Sequence, residues 1–257
     1  MIFDTHAHYD DEAFDVDRDS LLKSMHNQGT DYIVNVSASI DSIKKTLALA
    51  EEYPFIYAAV GVHPSETRQL SEKDIAWIKE KAQGDKVAAI GEIGLDYFWP
   101  EPDREIQKKW FAGQLQIAGE MKLPVIVHSR EAAKDTLDLL KEQRKDLRKV
   151  VIHCYSYGKE MAAEFLNLDF YFGIGGVLTF KNARKLTEAV KYIPMNRILL
   201  ETDCPYLAPE PCRGKRNQSS YIDFVAQKLS EIKQISKEDV LAQAMQNAKE
   251  FYGKERF

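Results

Sequence analysis

The chain has 257 residues, 44% hydrophobic, 29% charged and 11% aromatic, with a formal net charge of -5 at pH 7. Those proportions exclude a disordered or fibrous protein, and the length suits a barrel of βα units folded as one domain, residues 1–257. The acidic balance excludes a protein that coats nucleic acid by bulk charge, although a local basic patch beside bound cations can still receive phosphates.

Cys154, Cys204 and Cys212 are too few and too irregularly spaced for a disulfide framework or a four-thiolate zinc site. Every apolar run falls short of the roughly 20 residues that cross a bilayer. The opening Met1-Ile2-Phe3-Asp4 lacks the basic segment and apolar run of a secretory signal. The expectation is a cytoplasmic protein with no membrane association and no obligate protein partner.

Strands are predicted at residues 2–8, 32–38, 56–63, 87–95, 125–129, 150–155, 170–177 and 198–203, each followed by a longer amphipathic stretch. Runs such as Val125-Ile126-Val127 and Val150-Val151-Ile152 are apolar throughout, which suits parallel strands buried on both faces. Ser71 ahead of Glu72 and Asp74 reads as a helix start, and Ser236 ahead of Glu238 and Asp239 repeats the device. The stretch 236–252 adds a helix after the eighth unit. The predicted fold is a (β/α)8 TIM barrel with an extra C-terminal helix; an open doubly wound sheet would need the glycine-rich first turn that is absent here.

Along this frame, five of the six histidines fall at C-terminal strand ends, the rim where barrel enzymes place their sites. In the first strand, His6 and His8 are separated by one residue and project from one face, about 7 Å apart at Cα, so one metal ion can span them. A hydrogen-bonded pair of core histidines would be the usual reading of such a pair alone; repetition on other strands argues for ligands. His63, before Pro64, is a candidate for orienting substrate. In the fourth strand Glu92 is a carboxylate in an apolar run, a costly placement without a compensating cation. His128 and His153 close the fifth and sixth strands. Asp203 closes the eighth, where a carboxylate can bind a metal and accept a proton from attacking water. Glu201 and Asp4 are expected one step behind the ligands, and Cys154 and Cys204 in packing.

The first coordination shell is therefore imidazole and carboxylate, suited to Zn, Mn, Ni or Co and more weakly to Mg. Two such ions about 4 Å apart serve displacement at phosphorus, and amide hydrolysis equally well. Arg130, Arg213 and Arg216, with backbone donors of a helix starting near Gln218, lean toward a phosphate-bearing substrate. Phe98-Trp99 and Tyr155-Ser156-Tyr157 offer rings that either stack on bases or cap the barrel.

Together, Asp4-Thr5-His6-Ala7-His8, Gly61-Val62-His63-Pro64, Gly91-Glu92-Ile93-Gly94-Leu95-Asp96-Tyr97, His128-Ser129-Arg130 and Glu201-Thr202-Asp203-Cys204-Pro205-Tyr206 resemble the TatD family of metal-dependent deoxyribonucleases, over essentially the whole chain. The resemblance implies that His6, His8, Glu92 and Asp203 surround one divalent ion and Glu92, His128 and His153 a second, with Glu92 shared. It implies hydrolysis of DNA from an end of a single strand; by their places on the rim, Asp203 and Glu92 are expected to be catalytic and His63, Arg130, Arg213 and Arg216 to bind substrate. The alternatives are an amidohydrolase or phosphoesterase for a small molecule, and a catalytically silent metal-dependent nucleic-acid binder.

Overall fold

A computed structural model describes residues 1–257. The apolar runs become eight parallel strands in sequential order: β1 Ile2–Ala7, β2 Thr30–Val36, β3 Ile56–Val60, β4 Val87–Asp96, β5 Val125–Arg130, β6 Val150–Ile152, β7 Tyr171–Ile174 and β8 Ile198–Leu200. The ends of the sheet meet just beyond the last strand. Asp203 N–H donates to His6 O and His8 N–H to Cys204 O, both at 2.9 Å, so the chain closes as a TIM barrel. Helices α1 Arg18–Asn27, α2 Ile40–Glu52, α3 Glu72–Lys81, α4 Arg104–Met121, α5 Ala133–Gln143, α6 Lys159–Leu166, α7 Arg184–Tyr192 and α8 Ile222–Lys233 lie between and after the strands. The predicted extra helix is α9, Lys237–Tyr252. Ser71 forms a capping box with Asp74, and Ser236 accepts from the N–H of Asp239, which explains where α3 and α9 begin.

Strand alternation divides the core into two. Phe3, Val34, Val36, Ala59, Ile126, Val151, Tyr171 and Leu199 point into the barrel, while Val125, Val127, Val150 and Ile152 pack outward under the helices. Ala248, Phe251 and Tyr252 of α9 join the inner cluster and plug its lower end, where Tyr252 Oη donates to Thr5 O at 2.7 Å. With that end filled, chemistry is left to the opposite rim.

Several strands end earlier than predicted. The segments carrying His8, His63, His153 and Asp203 leave the ladder before those residues, and Cys154 and Asp203 take left-handed backbone angles, φ 44° and 59°. Both conformations are unfavourable for L-residues and turn the chain out of the regular strand path at the rim. Gly94 meets a different demand: at φ +146°, a Cβ there would lie 1.9 Å from His128 O, so β4 and β5 approach closely only because it is glycine. No helix is long and apolar enough to cross a membrane.

Candidate metal centre

β4 carries Glu92 to the middle of the mouth, buried and facing histidines rather than any lysine or arginine. Its two oxygens look in different directions. Oε2 lies 3.5 Å from His6 Nε2 and 3.8 Å from His8 Nε2; Oε1 lies 2.8 Å from His128 Nδ1 and 2.8 Å from His153 Nε2. On the first side Asp203 Oδ1 completes the group, 3.6 Å from His6 Nε2 and 3.3 Å from His8 Nε2, and the two imidazole nitrogens are 3.1 Å apart. Atoms ligating one ion at about 2.1 Å stand roughly 3.0–3.4 Å from one another, so this set has the dimensions of a coordination shell.

The donor chemistry fits a cation as well. His8 Nδ1 bonds Val36 O at 2.7 Å, which places a hydrogen on Nδ1 and turns Nε2 toward the group, where a cation can replace its proton. Asp203 Oδ1 and Glu92 Oε2 add two carboxylate oxygens, whose charge a proton on His8 Nε2 balances when no ion is bound. A positive ion satisfies all of them at once. On the second side His128 and His153 converge on Glu92 Oε1, with His63 Nε2 further off at 3.8 Å.

The titration behaviour follows. Burial opposes ionisation of Glu92, yet His153, His63 and the bond from His128 hold its pKa well below the ordinary value. Asp203 is likewise held low against burial, by His8 and the neighbouring imidazoles. Burial opposes protonation of His8, but Asp203 and then Glu92 raise it to about 9, and His128 and His153 are raised for the same kind of reason. The carboxylates thus create a field that favours positive charge at their centre. His63 behaves oppositely: burial and the nearby His128 lower it to about 3, so it is neutral at pH 7. Its Nδ1 accepts from Ser65 N–H, which leaves the hydrogen on Nε2, the atom directed toward Glu92.

Behind these residues stand others. Glu201 Oε1 lies 3.4 Å from His153 Nδ1 and accepts from the Cys154 N–H at 2.6 Å, and it stands with His6 and His153 in a third group of possible ligands. Asp4 accepts from Thr202, Ser219 and the His6 N–H, and so ties β1 to the β8 rim. Asp96 was not singled out by sequence. Its Oδ2 stands 3.2 Å from His128 Nε2, and the available signal was its place at the mouth end of β4, four residues beyond Glu92. Cys204 is buried as expected, but Cys154, turned by its positive φ, lines the cavity.

The cavity above the cluster has a volume of about 1030 Å³, and Arg130 is the only lysine or arginine on its wall. Here the sequence reading needs correction. Arg216 grips Asp17 through both terminal nitrogens, at 2.8 and 2.6 Å, and also reaches Ala13 O; Arg213 lies 3.9 Å over the Phe180 ring. Neither lines the cavity. The backbone donors predicted near Gln218 are also engaged: α8 begins at Ile222, Gln218 N–H bonds Asn217, and Ser219 N–H bonds Tyr9 Oη. Among the rim aromatics, Tyr155 is buried and Tyr157 bonds Ser129, whereas Phe98 and Trp99 are exposed.

A parallel barrel with this histidine and carboxylate cluster at its C-terminal rim is the architecture of a metal-dependent hydrolase. Residues 3–253 match the family described as TatD related DNase, and the chain belongs to that family. It is 42% identical to an uncharacterized metal-dependent hydrolase, YabD, of Bacillus subtilis over 98% of this chain and 99% of the relative. It is 33% identical to another, YcfH of Escherichia coli, over 93% and 91%. Among solved structures, the TatD homologue YJJV of Escherichia coli superposes with a TM-score of 0.92 at 29% identity, over 98% of this chain and 97% of that one.

Proposed function

We propose that this protein is a deoxyribonuclease that uses two divalent ions to hydrolyse phosphodiester bonds from an end of single-stranded DNA. The observation that carries the reading is Glu92, whose two oxygens serve two separate donor sets, His6, His8 and Asp203 on one side and His128 and His153 on the other. Divalent ions held there lower the pKa of water and offset charge on phosphoryl oxygens, whichever of Mg, Mn, Zn, Ni or Co is native. The chain's own residues supply the rest. Asp203, ionised and beside His8, accepts the proton of the attacking water. Neutral His63 donates through Nε2 to a phosphate or leaving oxygen. Arg130 offers its N–H edge to a phosphate oxygen.

The DNA part of this reading rests on the family description and on one arginine, not on the three that sequence suggested. That single cation favours a second reading, a hydrolase of a small phosphate ester, which needs only one anchor. Product mapping separates them. With Mn or Mg present, end-labelled single-stranded DNA should shorten progressively from one end. DNA left intact while small phosphate esters turn over supports the second reading, and DNA retained without products identifies a silent binder.

A further inference from the structure

Of the large apolar side chains that face solvent, Phe98, Trp99 and Tyr206 stand beside the cavity, and Trp99 and Tyr206 form part of its wall. Trp99 is 56% exposed and Tyr206 55%. Leaving that much ring in water forgoes the stabilisation of burying it. Both rings are nevertheless held. Arg130 lies 3.7 Å over the face of Phe98, and Phe98 meets Trp99 edge to face at 4.8 Å, so the arginine and the two rings form one contiguous cluster. Tyr206 is tethered through Oη to Asp11 at 2.8 Å. The anchors hold each ring at one end without covering it.

Position adds a second constraint. Trp99 follows β4 and Tyr206 follows β8, which are four strands apart in an eight-stranded ring and so stand on opposite sides of the mouth. The cluster around Glu92, from β4, and Asp203, just beyond β8, lies between them. A chain crossing the mouth with a phosphate at the cluster carries flanking groups toward one ring on each side.

Resting on the nuclease reading, we propose that Trp99 and Tyr206 are two base-stacking subsites that hold the nucleotides on either side of the scissile phosphate, making single-stranded DNA rather than a lone phosphate ester the preferred substrate. Stacking is indifferent to base identity, because every base has a π-face, and it requires unpaired bases. Arg130 is shared between the subsite and the phosphate: its face is taken by Phe98 and its edge remains for the anion. No other cation is needed on the wall.

The test uses manganese-loaded enzyme and three probes: oligothymidylate, the same oligomer with its bases removed, and methyl p-nitrophenyl phosphate. Trp99→Ala and Tyr206→Ala should each lower kcat/KM on oligothymidylate about 10-fold, within the range measured for one stacked base. The loss should be far smaller on the abasic oligomer and on the small ester. Trp99→Tyr should recover most of it. Wild-type tryptophan fluorescence should be quenched by a phosphorothioate oligothymidylate, and much less so in Trp99→Tyr. Should wild type cleave oligothymidylate while both alanine variants match it in kcat/KM, the stacking subsites are overturned and the nuclease reading stands. Equal losses on the intact and abasic oligomers likewise overturn stacking. A wild type that cleaves no oligomer overturns both.

Discussion

Glu92 is buried inside an apolar strand, and its charge is balanced by imidazoles alone. Replacing it by glutamine keeps the shape and removes the negative charge that the two proposed ligand sets share. Loss of an outer-shell partner already costs about 10–100-fold in metal affinity, so Glu92→Gln should lose at least about 100-fold, read by isothermal titration with Mn. Glu201→Gln, behind His153, should fall within the smaller range, and an unchanged affinity would show that Glu201 does not orient that ring. His6, His8, Glu92, His128, His153 and Asp203 could all be picked out from sequence because each is a polar residue placed where a buried strand reaches the rim. Asp96 could not, since an acidic residue followed by a loop looks the same whether or not a histidine faces it. Arg213 and Arg216 misled for the complementary reason. Their partners, Phe180 and Asp17, are remote in sequence, and no local pattern shows that a surface cation is already engaged.

The strands and helices were legible because their apolar periods are strong, and the early endings of β3, β6 and β8 were not. β6 and β8 end shortly before the left-handed residues Cys154 and Asp203, and beyond β3 the His63 N–H bonds Ala38 O past the end of β2. Helix α9 contributes most where sequence said least, since its last turn plugs the barrel. Phe251→Ala should cost about 3–5 kcal/mol by opening a cavity in a fully buried layer. Tyr252→Phe should cost about 1 kcal/mol through loss of the bond to Thr5 O. Urea denaturation checks both, and a Phe251→Ala cost below that of Tyr252→Phe would contradict the plug.

At the scale of the molecule, the proposed ion site would link stability and metal binding through His8. His8 has a folded pKa of about 9 against an ordinary 6.5. Without metal, its protonation stabilises the fold fully below about 6.5, and that contribution is lost as pH rises through about 9. On the proposed ligation, metal binding runs the other way, because ions compete with protons for the His8 nitrogen and bind more tightly as pH rises. The rise in Tm on replacing EDTA with Mn should therefore be larger at pH 9 than at pH 6.5, and an equal or smaller rise at pH 9 would contradict the linkage.

The central claim is that Glu92 joins two ion sites into one DNA-cleaving centre. Its most direct test is hydrolysis of end-labelled single-stranded DNA by metal-stripped protein titrated with Mn. The rate should climb until about two ions are bound per chain and then level off. A plateau at one ion, or intact DNA at saturation, would contradict it.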